Sequence, residues 1–357
     1  MSERLRVAAI GAGYFSQFQY QGWRNLAAAD CVALCNRDVA KGQALASRFG
    51  VAQVFGNARD MINKIKPDLI DIITPPATHM EYVALAAEYG IPVICQKPFG
   101  QSYAEALRLT ETAQSAGIML AVHENFRFMP WYREIRTLLD KGMLGDVHCV
   151  TFRLRPGDGQ GARAYLDRQP YFQNMPRFLV VETAIHLIDT FRYLMGEVDA
   201  VYARLRRINP VIAGEDAGYI VFEFNGGATG LFDGNRLNDH VARNPRRTMG
   251  ELWLEGSAGV LRLDGEARIW WKPHQRDEAE HAYERGPEDT FGGGACEALQ
   301  RHVLRHMTEG TPLENSGRDY LANLCVQEAV YQSDASGRRV SMAGFDPLAR
   351  REDAAAA

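Results

Sequence analysis

Several patterns that define whole classes of protein are missing from this sequence. No run approaches the roughly 18 consecutive apolar residues of a membrane-spanning helix. The first residues lead straight into an apolar, strand-like segment, without the hydrophobic region of a signal peptide. Lys and Arg number 40 against 44 Asp and Glu, so the basic excess typical of nucleic-acid-binding proteins is also missing. We therefore expect neither a membrane protein nor a nucleic-acid partner.

Cysteine and histidine patterns exclude further classes. The six cysteines form no Cys-x-x-Cys pair, and Cys31, Cys35 and Cys95 lie inside apolar runs, where cysteine behaves as a small hydrophobic residue. This usage is typical of a reducing compartment, so we expect a cytoplasmic protein. The nine histidines include no His-Glu-x-x-His motif, and we expect no metal site.

The length of 357 residues and the order of apolar segments predict two domains of different class. Residues 1–123 alternate short apolar runs with helical-period segments, which predicts an α/β Rossmann domain with a doubly wound parallel sheet of six strands. Residues 124–343 contain many strand-like runs and a few helices, which predicts a C-terminal α+β domain with a large, mostly antiparallel sheet. Residues 344–357 form a tail without a pattern that could bury it.

A glycine motif at the start of the chain predicts a dinucleotide site. Gly11-x-Gly13-x-x-Ser16 follows the first strand and opens a helix, so its turn, which includes Tyr14 and Phe15, can bring the backbone close to a pyrophosphate. The second strand ends in Asn36-Arg37-Asp38, where an acidic residue would bind the adenosine ribose. Asn36 and Arg37 favour a 2′-phosphate and Asp38 opposes it, so NAD and NADP both remain open.

Two further segments carry groups suited to proton transfer. Lys97 follows the apolar run Pro92–Cys95, at the carboxyl end of a parallel strand, where doubly wound folds bind ligands. Glu182 and His186 are four residues apart in a helical segment and Asp189 follows three later, so the three share one helix face. The alternative interpretations are a solvated lysine before a turn and a hydrogen-bonded pair on a half-buried helix.

Taken together, these features resemble the glucose–fructose oxidoreductase/inositol dehydrogenase (Gfo/Idh/MocA) family. The resemblance runs from the first strand to about Val340. The family's usual Glu-Lys-Pro is Gln96-Lys97-Pro98 here, and its usual Asp-x3-His is Glu182-x3-His186; each departure can alter the pKa of its neighbour. The matching stretches are Val7–Ser16, Ile73-Thr74-Pro75-Pro76-Ala77-Thr78-His79, Gln96-Lys97-Pro98, Asn125-Phe126-Arg127-Phe128-Met129-Pro130 and Glu182–Asp189.

The resemblance implies roles for these residues. Lys97 and His186 would flank a substrate carbinol beside the nicotinamide, with His186 as base, Glu182 orienting it or binding substrate, and Lys97 holding the oxygen. The cofactor would also contact Thr74, Pro75, His79, Gln96, Lys97 and Asn125, and the substrate would contact Asn125 and Arg127. The composition of the loop before the helical segment that contains His186 adds Arg163 and Tyr165 as candidate substrate contacts.

The only residues that suggest a substrate class lie in the loop before the helical segment that contains His186. Aromatic residues, among them Tyr171 and Phe172, suit a sugar ring, and arginines suit a carboxylate, so an acidic sugar is one hypothesis; a solvated loop is the alternative. The arginines are Arg153, Arg155, Arg163, Arg168 and Arg177.

We therefore predict an NAD(P)-dependent oxidoreductase that converts a secondary alcohol of a sugar, cyclitol or sugar acid to a ketone, or the reverse. The alternatives are a redox-neutral isomerase or eliminase with recycled bound NAD, and a non-catalytic dinucleotide-binding regulator. Retention of both Lys97 and His186 argues against the regulator. The resemblance also implies a homodimer or homotetramer, since the open face of the second sheet commonly packs against a partner.

Overall fold

Short apolar segments alternate with helices through the first third of the chain, and in the computed structural model, which describes residues 4–349, they build a parallel sheet. The strands β1 to β6 are Leu5–Ile10, Ala29–Cys35, Gln53–Phe55, Leu69–Ile72, Val93–Gln96 and Leu120–His123. The helices α1 to α5 between them are Ser16–Asn25, Val39–Phe49, Ala58–Ile65, His79–Glu88 and Tyr103–Ser115. The prediction of a doubly wound Rossmann sheet is confirmed.

Polar side chains cap several of these helices. Asp38 accepts a hydrogen bond from the backbone N–H of Lys41 at 3.0 Å and so begins α2. At the start of α5, where Ser102 followed by Glu105 predicts a capping box, Ser102 accepts from the N–H of Glu105. The Glu105 carboxylate accepts from the N–H of Gln101, one residue before the cap. In these two helices, polar side chains satisfy part of the free N–H groups that a helix start leaves.

The strand order of the first sheet determines where a ligand can bind. The order is β3-β2-β1-β4-β5-β6, and all neighbouring strands are parallel. From β1 the chain adds strands on one side as far as β3, and it then returns to add β4, β5 and β6 on the other side. The order of strand addition therefore reverses between β1 and β4, which are paired in parallel from Val7↔Leu69 to Ile10↔Ile72. In doubly wound folds the crevice beyond the carboxyl ends of the strands at this reversal is the ligand site.

A nine-stranded sheet forms the second part of the fold. Its order is β14-β13-β12-β11-β7-β10-β9-β8-β15; β7 and β10 are parallel and the other neighbouring pairs are antiparallel. This agrees with the predicted, mostly antiparallel sheet. The pair Gly226-Gly227 between two strand-like runs predicts a hairpin turn, and it joins β9 to β10. The strands β7 to β15 are Val147–Leu154, Val198–Arg206, Ala217–Phe224, Thr229–Asn235, Gly250–Gly256, Gly259–Leu263, Ile269–Pro273, Ala279–His281 and Val340–Ser341.

One predicted helix is interrupted. The sequence predicts a continuous helix from Phe178 to Leu194, but Leu179–Ala184 form a π-helical turn, and α7 begins at Ile185. Glu215 determines this geometry, because its carboxylate accepts the N–H groups of Phe178 and Val180, each at 3.1 Å. The remaining helices are α6 (Pro130–Asp140), α7 (Ile185–Met195), α8 (Ala295–Glu309) and α9 (Gly317–Ser336).

Among the described residues the chain divides into two compact units, and neither is continuous in sequence. The first contains the residues up to Asn125 together with Gly294–Ala322, and the second contains Phe126–Gly293 and the residues from Asn323 onward. The predicted second domain, residues 124–343, therefore includes a segment that packs with the first unit. The reason is helix α8, whose buried Gln300 donates a hydrogen bond to the Gln19 carbonyl oxygen in α1 at 2.9 Å.

The termini and the helix lengths complete the description. Residues 344–349 of the predicted tail contain turns, and the rest of that tail lies outside the described residues. No helix within residues 4–349 is both long and apolar enough to cross a membrane.

Candidate functional site

The glycine turn after β1 leaves room for a ligand close to the backbone. Gly11 has φ +122°, and a Cβ there would lie 2.8 Å from the Ile73 carbonyl oxygen, so no other residue fits without strain. A Cβ on Gly13 would meet nothing within 4 Å, so its backbone faces open space. Ser16, in place of the third glycine, is buried and donates to the Gly13 carbonyl oxygen at 2.7 Å. This turn fits a pyrophosphate.

A cleft extends from this turn along the carboxyl ends of β1, β2 and β4. It contains no acidic side chain, whereas Arg37 and Lys41 both line it. The lining residues are Ile10, Gly11, Ala12, Gly13, Cys35, Asn36, Arg37, Lys41, Ile73, Thr74, Pro75, Thr78 and Tyr82. Of the predicted cofactor contacts, Tyr14, Phe15, His79, Gln96, Lys97 and Asn125 are not part of this lining, and their contacts remain predictions.

The end of β2 shows how its polar side chains are used. Asn36 accepts from the Ala12 N–H at 3.1 Å and donates to the Asp38 carbonyl oxygen at 2.7 Å, so both ends of its amide bond the backbone. The Asp38 carboxylate caps α2. Arg37 and Lys41 are exposed, and no carboxylate of the described residues forms a salt bridge with either. The charge presented to the cleft at this end is positive.

His79 supports the wall of the cleft from behind. It is fully buried, and its Nε2 lies 2.8 Å from the Thr74 carbonyl oxygen. Burial lowers the pKa of His79 below its usual value, which favours the neutral ring that donates to this oxygen. Thr78 adds hydrogen bonds to the Thr74 hydroxyl and the Pro75 carbonyl oxygen. We infer that His79 positions the Thr74-Pro75 segment, which itself lines the cleft.

Lys97 lies where the sequence predicts it, directly after β5. Its side chain is half-buried, and its backbone N–H donates to the Gln96 side-chain oxygen at 2.7 Å. The Lys97–Pro98 peptide bond is cis. Asn125, after β6, is buried and donates to the Cys296 sulfur at 3.6 Å, while its Oδ1 has no hydrogen-bond partner among the described residues. A buried acceptor of this kind is suited to a ligand donor.

In the second unit, His186 occupies the first turn of α7 and is buried with 6% exposure. The Phe126 ring stacks on its imidazole, with the ring centroids 4.0 Å apart and the planes within 4°. Glu182 lies in the π-helical turn before it, not on a continuous α-helix as predicted, so the four-residue spacing no longer implies one helix face. The stacking fixes the plane of the His186 ring.

Arg127 and Asp189 anchor the same helix. Asp189 is fully buried and accepts two hydrogen bonds from Arg127, at 2.7 and 2.5 Å, and a third from Asn323 at 2.7 Å. The guanidinium of Arg127 also lies over the Tyr193 ring. Arg127 was predicted to bind substrate; that role is untested, and the geometry assigns it a positioning role.

The loop between β7 and the π-helical turn is held by a buried arginine that the sequence analysis missed. Arg236 bonds the Asp158 carboxylate at 2.8 Å, the Tyr165 hydroxyl at 2.9 Å and the Thr183 hydroxyl. Burial opposes ionisation of Asp158, but Arg236 and then Arg168 outweigh it and hold its pKa below the usual value. Tyr165 is thus buried inside the loop, and its predicted contact with substrate remains untested.

The loop arginines that motivated an acidic substrate all have carboxylate partners. Arg163 pairs with Asp167 in the same loop, and the two side chains are more than 70% exposed. Each of the five guanidinium groups therefore lies near a protein carboxylate. The remaining pairs are Arg153 with Asp233 and Glu251, Arg155 with Asp233, Arg168 with Asp158, and Arg177 with Glu328.

Two other features bear on the chemistry. Within residues 4–349, no group of three or more His, Cys, Asp or Glu side chains is arranged to hold a metal ion. The buried carboxylate of Asp71, in the middle of β4, was not singled out from the sequence, although a charged residue inside the apolar run Leu69–Ile72 is a visible signal.

Comparisons with known proteins agree with this architecture. Residues 5–124 match the model of an oxidoreductase family with an NAD-binding Rossmann fold, and residues 132–262 match the model of the GFO/IDH/MocA C-terminal domain. D-apiose dehydrogenase of Paraburkholderia graminis is 32% identical over 355 residues, covering 96% of this chain and 91% of that protein. D-glucoside 3-dehydrogenase of Escherichia coli is 29% identical over 198 residues, covering 55% of each chain.

Solved structures show the same fold. An oxidoreductase from Agrobacterium radiobacter in complex with NAD+, L-tartaric acid and magnesium superimposes with a TM-score of 0.87 at 28% identity, covering 96% of this chain and all of that one. The WlbA dehydrogenase from Bordetella pertussis in complex with NADH and UDP-GlcNAcA superimposes with a TM-score of 0.77 at 20% identity, covering 95% and 99%. The second likeness concerns the fold alone.

Proposed function

The chain belongs to the GFO/IDH/MocA oxidoreductase family and carries its NAD-binding Rossmann domain, and from this premise we propose that it is a dehydrogenase oxidising one CH–OH carbon of a sugar or related polyhydroxy compound. The observation that carries the proposal is the open glycine turn at the sheet reversal, with Lys97 at the carboxyl end of β5 in the same unit. A protein that only sensed the nucleotide would need no such lysine.

The residues of the first unit fit the cofactor. The backbone of Gly11 and Gly13 would hold the pyrophosphate, and Thr74 and Pro75 would form the opposite wall of the cleft. When bound, the nicotinamide accepts or returns the hydride. The protein then has to bind the substrate hydroxyl and move its proton.

Proton transfer falls to His186 and Lys97 in this proposal. An imidazole is suited to take the hydroxyl proton as the C–H bond breaks. The Phe126 stack holds the His186 ring in one plane, which reduces the freedom lost when substrate binds. Lys97 would stabilise negative charge as it develops on the oxygen. Glu182, at the end of the preceding turn, would bind a substrate hydroxyl or orient His186.

For the substrate we propose a neutral sugar and name D-apiose as the first compound to test. The curated relatives that cover nearly the whole chain include two D-apiose dehydrogenases, one from Paraburkholderia graminis and one from Rhizobium rhizogenes. The carboxylate partners of the loop arginines support a neutral ligand, because a substrate carboxylate would have to displace a protein one. Neutral sugars should therefore give higher kcat/KM than their aldonates, or than tartrate.

The activity test is a 340 nm screen of aldoses, cyclitols and sugar acids with NAD and NADP. Lys97→Ala and His186→Ala should each lower kcat by about 100-fold or more, the usual contribution of a positioned acid or base, while the cofactor Kd stays within about twofold. Near-normal turnover in either variant would remove that residue from the mechanism. A single burst of absorbance without net turnover would instead indicate a redox-neutral cycle.

The positive end of the cleft supports NADP as the preferred cofactor. Arg37 and Lys41 line the cleft, Asn36 is bonded to backbone, and the Asp38 carboxylate caps α2, so no acidic side chain of the cleft lining faces the ribose. Phosphate contacts by charged donors are worth about 10- to 100-fold in affinity.

The test is a fluorescence titration with NADP, NAD and 2′,5′-ADP. Arg37→Ala and Lys41→Ala should each weaken NADP and 2′,5′-ADP about tenfold or more and change NAD by less than about threefold. Arg48→Ala, in the last turn of the same helix and outside the cleft lining, is the matched control and should change none of the three. Equal losses for NAD and NADP would refute the assignment.

A further inference from the structure

A chain of buried polar side chains runs from the middle of β4 to the residue before Lys97. The Asp71 carboxylate accepts hydrogen bonds from the Trp23 indole N–H at 2.7 Å and from the Gln19 amide at 3.2 Å. The Gln19 side-chain oxygen accepts from the Gln96 amide at 3.1 Å. The Gln96 side-chain oxygen accepts the backbone N–H of Lys97 at 2.7 Å. We call Asp71, Gln19 and Gln96 the polar chain.

The two ends of the polar chain fix its direction. The Lys97 backbone N–H can only donate, and the Asp71 carboxyl accepts from both Trp23 and Gln19. Between these ends, Gln96 and Gln19 each have one acceptor and one donor face, so every hydrogen bond donates toward Asp71. The alternative amide orientation would place two donors or two acceptors together at some point. Asp71 and Gln19 are fully buried and Gln96 is 8% exposed, so water is a poor substitute partner.

We propose that Asp71, Gln19 and Gln96 are positioning residues that hold the backbone of Lys97 and so place its ammonium group for the reaction. The inference rests on the proposed catalytic role of Lys97. Gln96 and Lys97 are adjacent at the end of β5, where no further strand pairing fixes the backbone. The hydrogen bond from Gln96 replaces it. A displacement of 1 Å in such a group costs on the order of 100-fold in rate.

The donor count identifies the substitution that interrupts the polar chain. Asp71→Asn can keep both bonds, because one oxygen of Asp71 lies within reach of both Trp23 and Gln19, at 2.7 and 3.4 Å. Gln96 is different, because its side-chain oxygen accepts the Lys97 N–H and its amide group donates to Gln19. Gln96→Leu removes both bonds and leaves the Lys97 N–H without this acceptor.

Two further substitutions separate the positioning of Lys97 from general packing. Gln96→Glu keeps an oxygen that accepts the Lys97 N–H, so it is the rescue variant for Gln96→Leu. Gln19→Leu removes the acceptor that orients the Gln96 amide group, one step further from Lys97.

The experiment follows the Lys97 backbone directly. The sequence has six lysines, so lysine-selective 15N labelling gives six backbone amide signals, and Lys97→Arg identifies the one from Lys97. Signals are compared in wild type, Gln96→Leu, Gln19→Leu and Gln96→Glu, together with kcat, KM and cofactor Kd. Trp23→Phe is the matched control, because it removes a donor to Asp71 and destabilises the same core without breaking the path to Lys97.

Gln96→Leu should shift the Lys97 amide signal and lower kcat about 10- to 100-fold, with cofactor Kd within about twofold of wild type, and Gln19→Leu should have the same effect to a smaller extent. Gln96→Glu should keep the signal near that of wild type and hold kcat within about fivefold. An unchanged Lys97 signal in Gln96→Leu, or an equal loss of kcat in Trp23→Phe, would overturn the proposal. A shifted signal with unchanged kcat would retain the positioning of the backbone and refute the catalytic role of Lys97 instead.

Discussion

The buried carboxyl of Asp71 should make the stability of the protein depend on pH in a way that one substitution removes. Burial raises the pKa of Asp71 from 3.8 to about 7, although hydrogen bonds from Trp23, Gln300 and Gln19 act to lower it. The folded protein therefore holds this proton more tightly than the unfolded chain does. Folding stability is greatest with the proton bound and is lost as the pH rises from about 4 to about 7.

The magnitude follows from the two pKa values. A pKa difference of one corresponds to about 1.36 kcal/mol, so the rise to about 7 costs about 4 kcal/mol of unfolding free energy in total, of which about 3 kcal/mol falls between pH 5 and pH 8. Burial and the charge of Asp71 also raise the pKa values of the hydroxyl and thiols around it, which stay protonated over this range. These neighbours are Tyr20, Cys31, Cys95 and Cys296.

The assay is urea unfolding of wild type and Asp71→Asn at pH values from 5 to 8. Asn does not titrate, so the stability of wild type relative to the variant should fall by about 3 kcal/mol across this range. Asp60, which is exposed to solvent, is the control when replaced by Asn, and its difference from wild type should stay constant across this range. Parallel curves for wild type and Asp71→Asn would refute the reasoning.

Three further outcomes are expected. Arg127→Ala should lower the unfolding free energy by about 3–5 kcal/mol, because it removes the guanidinium that donates two hydrogen bonds to the buried Asp189 carboxylate. Adding Asp189→Asn should recover much of that loss in the same urea assay. Gln96→Glu alone should make the unfolding free energy fall more steeply with rising pH than in wild type, because one of two carboxyls beside Gln19 must keep a proton. Adding Asp71→Asn should remove this additional pH dependence. Equal slopes of unfolding free energy against pH in Gln96→Glu and wild type would contradict the donor count. We also propose a homodimer or homotetramer built on the open face of the second sheet, where Trp253 is 40% exposed; light scattering that finds only a single-chain mass would reject it.

The nucleotide half of the site was predictable from sequence because its signals are local. The turn at Gly11 and Gly13 depends on backbone conformation within a few residues, and the position of Lys97 follows from the apolar run before it. The cap of α5 at Ser102 was predictable for the same reason, because it depends on residues within one helical turn. Periodicity and turn chemistry act over one or two turns of chain, so one sequence is sufficient to predict them.

The partners of charged side chains could not be predicted in the same way. The Arg153–Arg177 loop looked like a surface for an acidic ligand, but carboxylates in the loop, in other strands and in α9 pair with its arginines. The bond between Arg127 and Asp189 joins residues 62 positions apart. Such pairs depend on which strands and helices pack against each other, and hydrophobic periodicity does not predict that packing.

Gln96 shows how a departure from the family pattern can follow from a residue elsewhere in the fold. The family's usual glutamate at this position would place an acceptor-only group on one side of Gln19, with Asp71 on the other. The amide of Gln19 has one donor face, so one of the two carboxyls would have to keep a proton. A glutamine here accepts from Lys97 and donates to Gln19, and it leaves Asp71 as the single carboxylate of the polar chain. A glutamine at position 96 therefore fits the hydrogen bonding of the polar chain around Lys97.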